Sequence, residues 1–145
     1  IGVEAERSAV IRHGVRAMAA MNQTTVPWCT VVIRSSFGVA GAVHTPAGRL
    51  ALRYAWLSGW WGSLPLEGGI EAAYRADIEG AADPAAKLRE IETRLNKLGS
   101  PFRTAETFAV EEIVDPRDTR RLLCEFARLA EPLRTPGRPV MTIRP

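Results

Sequence analysis

Apolar residues recur first with a helical period, then in an unbroken run, and then with helical periods again through most of the second half. From Glu4 to Asn22 one stripe carries Ile11, Val15, Met18 and Asn22, widened by Val10 and Ala19, while Glu6, Arg7, Arg12 and Arg16 fall opposite. That spacing predicts one amphipathic helix ending at Thr24 to Pro27. Gly14 lies inside it at a cost of about 1 kcal/mol relative to alanine, for which a close contact with a neighbouring element is the simplest reason. Trp28 to Ile33 is continuously apolar, the pattern of a central strand of a parallel sheet covered on both faces. A short helix is expected from Gly38 to about His44, closed by the Thr45-Pro46-Ala47-Gly48 loop, and short strands at Arg53 to Leu57 and Gly59 to Gly62.

From Gly69 onward the pattern is helical. Ile70, Tyr74, Ile78 and Ala81 form one stripe and Leu88, Ile91, Leu95 and Leu98 another, with Asp83-Pro84 between them as a cap followed by a first-turn proline. Two helices meeting at a bend are expected, the second stopped by Gly99 and Pro101. A turn or short helix at Thr104 to Ala109 leads to a strand at Val110 to Val114. Asp115-Pro116 then opens a helix with Leu122, Leu123, Phe126 and Leu129 on its stripe. Beyond Pro132, Pro136, Gly137, Pro139 and Pro145 predict an extended tail. The class is α/β or α+β with a small sheet and a predominantly helical second half.

Composition narrows the options. The 145 residues suit one domain, residues 1–145, with 46% apolar and 24% charged residues. Nineteen basic and 16 acidic residues give +3 without a basic block, which argues against nucleic acid as a partner. Cys29 and Cys124 lack metal or redox spacing and are expected as buried free thiols. With His13 and His44 the only histidines, a structural metal site has no ligand set. No apolar run approaches the ~20 residues of a membrane span, and no signal pattern opens the chain. The expectation is cytoplasmic. Opening on Ile1 rather than methionine, the chain is expected to be a fragment or a processed product.

The segment Phe37-Gly38-Val39-Ala40-Gly41-Ala42 carries the candidate chemistry. Small residues after an apolar strand let a ligand approach backbone N–H groups, and such a turn can present them to a developing oxyanion. The alternative is a turn that is small for packing alone. Val39 is β-branched and resists positive φ, so the conformation of this turn bears on its use.

Around it, in order and approximate spacing, stand Ile11-Arg12-His13-Gly14, Tyr54-Ala55-Trp56 and Asp115-Pro116-Arg117-Asp118-Thr119-Arg120. Together these segments resemble the C-terminal part of the biotin-dependent acyl-CoA carboxylase carboxyltransferase beta-subunit family. The resemblance implies a crotonase-like ββα superhelix, incomplete here because a full unit is larger. It implies transfer of a carboxyl group from carboxybiotin to an acyl-CoA. The backbone N–H groups of Val39 and Ala40, with Gly38, would form an oxyanion hole, and Phe37, Gly41 and Ala42 would lie on the substrate side.

Biotin on a carrier protein is the implied cofactor. Biotin carboxyl carrier, biotin carboxylase and the remaining carboxyltransferase chain are the implied partners, in an oligomer. Alone the chain would have no turnover. A biotin-dependent decarboxylase and a non-catalytic crotonase-like scaffold remain alternatives. Departures from the family pattern are Val39, Ala42 in place of a pocket aspartate, Leu57 in place of proline, and Gly59-Trp60-Trp61-Gly62. His13 reads as structural, because it has no nearby acid and the implied chemistry needs no protein base. His44 reads as a surface residue at a helix end. The cluster of Tyr54, Trp56, Trp60 and Trp61 reads as core and interface rather than a stacking site. The Asp115 to Arg120 segment reads as a helix cap that marks the family.

Overall fold

In the computed structural model the described residues are 3–44, 48–64, 66 and 68–134, with only the backbone at Ala42. The loop expected at Thr45 to Ala47 and the tail beyond residue 134 lie outside them.

The first predicted helix is two. Helix α1 (Val3–Arg7) and helix α2 (Val10–Gln23) are separated at Ala9, which takes φ 58° and ψ 37°. No sequence signal marks this break, since alanine is the best helix former. Strand β1 (Trp28–Val32) follows, then β2 (Ser35–Phe37), the one-turn helix α3 (Val39–Ala42), β3 (Ala51–Trp56), β4 (Trp60–Gly62) and helix α4 (Gly69–Ala73). The chain thus runs β-β-α twice. First strands pair in one sheet, β1 with β3 in parallel, and second strands in another, β2 with β4 in parallel. A further first strand, β5 (Glu112–Val114), adds to β3.

This is the ββα superhelix, here with two full turns and the start of a third. The sheet order β1-β3-β5 corrects one expectation: β3 is central, and β1 has one edge unpaired among the described residues. Most of β1 is accordingly half-buried rather than covered on both faces. Ile33 lies beyond it and is exposed.

The helical half has one more break than expected, with α4, α5 (Arg75–Glu79) and α6 (Pro84–Leu98) in succession. The Asp83 carboxylate accepts from the Ala86 N–H at 2.9 Å, the cap its sequence predicts. Asp83→Ala is therefore expected to lower unfolding free energy by about 1 kcal/mol, read as a lower urea midpoint at unchanged slope. Pro101 opens α7 (Pro101–Glu106) as well as ending α6. Asp115 caps a 3-10 turn, Pro116–Asp118, that feeds helix α8 (Thr119–Ala130).

The core is small. Val32, Ala55 and Val110 form a buried cluster against Trp61 and Ala105, and Ile70, Ile91 and Leu122 are buried elsewhere. The apolar stripe of α2, expected to face the core, is open: Val10, Ile11, Val15 and Met18 are 37–65% exposed. Leu123 and Leu129 of α8 are also exposed, so its stripe is only partly buried. Both cysteines are free, Cys124 exposed and Cys29 half-buried, so neither is fully buried as expected. Burial, and secondarily Glu111, pushes the Cys29 thiol up and keeps it protonated.

Candidate functional site

The turn after β2 is built on Gly38, at φ 59° and ψ −135°. Alanine avoids that conformation and glycine does not. The positive φ therefore falls on Gly38, and Val39 has none. The Gly38 N–H donates to the Gly62 carbonyl at 2.9 Å, extending the β2–β4 pairing into the turn. Gly38 thereby sets the shape of the turn and spends its own donor. The Gly41 N–H donates to the Gly38 carbonyl at 3.0 Å, and the Val43 N–H to the Val39 carbonyl at 3.0 Å.

Val39 and Ala40 contribute the first N–H groups of the helical turn, which a helix cannot itself satisfy. Neither donates a hydrogen bond among the described residues. Both residues are solvent-exposed.

A predominantly apolar cleft of about 650 Å³ separates this turn from α2, lined among others by Ile11, Gly14, Val15, Phe37, Val39 and Ala40. Two of the segments singled out in the sequence, around Arg12 and at the turn, thus meet across one cleft. Its size is that of a small-molecule site. Gly14 opens onto it: a Cβ there would meet nothing within 4 Å, so close packing does not explain this glycine. His13 is exposed; its backbone N–H donates to the Ala9 carbonyl at 3.3 Å, and its imidazole has no hydrogen bond or ion pair among the described residues, leaving no base on α2 oriented by a partner. His44 is half-buried rather than a surface residue, with its carbonyl accepting from the Thr30 hydroxyl at 2.7 Å.

The tryptophans brace the site from behind. Phe37 meets Trp60 edge-to-face at 5.7 Å and 74°, while neighbouring Trp61 packs on the Val32 cluster. Trp56 Nε1 donates to the Thr119 hydroxyl at 2.9 Å, joining the Tyr54-Ala55-Trp56 segment to the start of α8. The Asp115 carboxylate accepts from the Arg117 backbone N–H at 2.8 Å and guanidinium at 2.7 Å. These bonds hold its carboxyl below the usual carboxylate range, the side-chain bond contributing most. This segment is a cap that anchors β3 to α8, and it does not line the cleft. Among the described residues no cluster of His, Cys, Asp and Glu is arranged to hold a metal.

One residue that the sequence did not single out touches the turn. The Arg53 Nη2 of β3 donates to the Gly41 carbonyl at 2.8 Å. Nothing in the local sequence marks this contact, which depends on how β3 lies against the first β-β-α turn.

With that geometry stands the comparison with known proteins. The chain belongs to the carboxyl transferase domain family, whose sequence model matches residues 1–136. The methylmalonyl-CoA carboxyltransferase 12S subunit of Propionibacterium freudenreichii subsp. shermanii is 34% identical over 123 residues, 83% of this chain and 23% of that protein. The propionyl-CoA carboxylase carboxyltransferase subunit of Haloferax mediterranei is 30% identical over 132 residues, 88% of this chain and 25% of that protein. A transcarboxylase 12S crystal structure with hydrolysed methylmalonyl-coenzyme A bound superposes with a TM-score of 0.73 at 28% identity. It covers 100% of this chain and 28% of its own. The fold is therefore crotonase-like, as the β-β-α topology implies. The chain spans about a quarter of the length of the relatives it matches.

Proposed function

We propose that this chain is the C-terminal portion of a carboxyltransferase domain and acts within an assembly that moves a carboxyl group from carboxybiotin to an acyl-CoA. The carrying observation is the pair of unspent N–H donors at Val39 and Ala40, exposed at the wall of an apolar cleft in a chain of this family. Two neighbouring backbone donors fit a carbonyl-type oxygen such as that of a ureido group, and they need no particular side chain to do so. Biotin, on a carrier protein, supplies the transferable carboxyl group when bound.

In this reading Val39 and Ala40 orient that oxygen. Gly38 fixes their direction, and Phe37, which lines the cleft, lies on the substrate side. The apolar wall of α2 lowers the local dielectric, which strengthens each donor. The remaining carboxyltransferase chain completes the cleft over the exposed Val10 and Ile11, in an oligomer served by carrier and biotin carboxylase subunits. The free thiols Cys29 and Cys124 suit a reducing, cytoplasmic setting.

The test is transfer of labelled carboxyl from a biotinylated carrier to propionyl-CoA by the reconstituted assembly. Labelled acyl-CoA product is expected only when this chain is present. Release of CO2 from a carboxylated acyl-CoA without net transfer would assign decarboxylation instead. No transfer, with no calorimetric binding of biotin or acyl-CoA by the assembly, would leave a scaffold.

A further inference from the structure

The Val39–Ala40 segment is tethered at both ends, once to each sheet. On one side the Gly38 N–H is bonded to Gly62 at the end of β4. On the other, the Gly41 carbonyl accepts from the Arg53 guanidinium at 2.8 Å. The internal bond from the Gly41 N–H to the Gly38 carbonyl, at 3.0 Å, closes the loop between the two tethers. An isolated single helical turn such as Val39–Ala42 carries the full nucleation cost for very few hydrogen bonds, so its orientation rests on these external bonds.

Arg53 is itself immobilised. It sits opposite Thr30 in the β1–β3 register. Its backbone N–H donates to the Glu111 carboxylate, and its carbonyl accepts from the Glu111 N–H at 2.8 Å. Because Glu111 is engaged with the Arg53 backbone, the guanidinium is left to the turn. The guanidinium is half-buried, behind the turn, on a separate cleft of about 510 Å³ that it shares with Ser36 and His44. Burial draws its pKa down while Glu111 opposes that shift. Its Nε is buried without a hydrogen-bond partner, so Gly41 is the bond that compensates placing this cation here.

We propose that Arg53 is a positioning residue for carboxyl transfer: by holding the Gly41 carbonyl, it fixes the direction of the Val39 and Ala40 N–H donors. This inference rests on the oxyanion reading of the turn. It adds a residue that never touches the reacting atoms and stands outside the cleft in which they would lie.

The experiment compares wild type with Arg53→Met, Arg53→Gln and Arg53→Lys in the full carboxyltransferase assembly. For Arg53→Met, kcat is expected to fall about 10–100-fold, less than loss of a whole oxyanion donor, with KM for acyl-CoA within about 3-fold. Arg53→Lys, which keeps a cationic donor, is expected to recover kcat to within about 3-fold of wild type, and Arg53→Gln to fall between.

Amide exchange gives a readout independent of turnover. In Arg53→Met the peptide spanning Val39 to Val43 should exchange faster, with the rest of the domain unchanged, and Arg53→Lys should restore protection. Wild-type kcat and wild-type exchange in Arg53→Met would overturn the proposal. So would a kcat loss in Met that Lys does not recover when both melt like wild type. If Arg53→Met fails to assemble, the comparison moves to Gln, where wild-type kcat and exchange overturn it. A wild-type assembly without transfer would instead refute the oxyanion reading itself.

Discussion

Gly38→Ala is expected to lower kcat for carboxyl transfer about 10²–10³-fold, the loss seen when one oxyanion donor is removed. At φ 59° and ψ −135° an alanine Cβ is strained, at a cost of about 1–3 kcal/mol if the conformation is kept. The backbone relieves that strain by rotating the peptide that joins Gly38 to Val39. That peptide carries the Val39 N–H, so relief misdirects the donor itself. Packing does not confuse the reading, because a Cβ at Gly38 would approach nothing closer than the Ser63 carbonyl at 3.7 Å. The change should leave KM for acyl-CoA within about 3-fold, since in the proposed role the interaction lost is made chiefly in the transition state. Steady-state kinetics of the assembled enzyme check it, and a wild-type kcat would remove the turn from the chemistry.

The largest expected loss of stability comes from Gly99→Ala. Gly99 closes α6 at φ −77°, a conformation any residue adopts. What forbids a side chain is proximity: a Cβ there would lie 1.8 Å from Trp60 Nε1 and 2.2 Å from its Cδ1. The indole cannot simply swing aside, because its ring meets Phe37 edge-to-face and β4 fixes its backbone. Overpacking of this kind costs about 1–3 kcal/mol.

Trp60→Leu in the same molecule removes the obstructing atoms. The double variant should therefore be more stable than the sum of the two single losses predicts, by about 0.5–3 kcal/mol. Denaturant midpoints of the four proteins test this, and strict additivity would refute the steric account. Because Phe37 lines the cleft, Gly99→Ala should also impair carboxyl transfer from a position outside it.

Gly99 shows how the sequence can point to the right residue for the wrong reason. As a glycine after an apolar stripe it reads as a C-terminal helix cap, and it does end α6. The structure needs it for the approach of an indole from β4, which local pattern cannot reveal. Gly14 is the converse, read as a packing contact and found facing an open cleft.

Elements carried by their own periodicity, such as α6 and α8, were legible, as was the cap at Asp83. Strand β2 was not, because Ser35–Phe37 has no alternation and becomes a strand only by pairing with β4. The continuous run in β1 indicated a parallel sheet, which the structure has, and a central position, which among the described residues falls to β3 instead, since strand order is decided by crossovers distant in sequence. At the candidate site, the small residues from Gly38 to Gly41 marked the turn in the sequence. Arg53 carried none: its contact with Gly41 spans a separation of 12 residues and depends on tertiary placement.

The edge of β1 that is unpaired among the described residues has a practical consequence. A parallel edge rich in valine, with unspent backbone groups, is a template for any extended chain that meets it. Expressed by itself, this polypeptide would recruit further copies strand by strand and leave solution at high concentration.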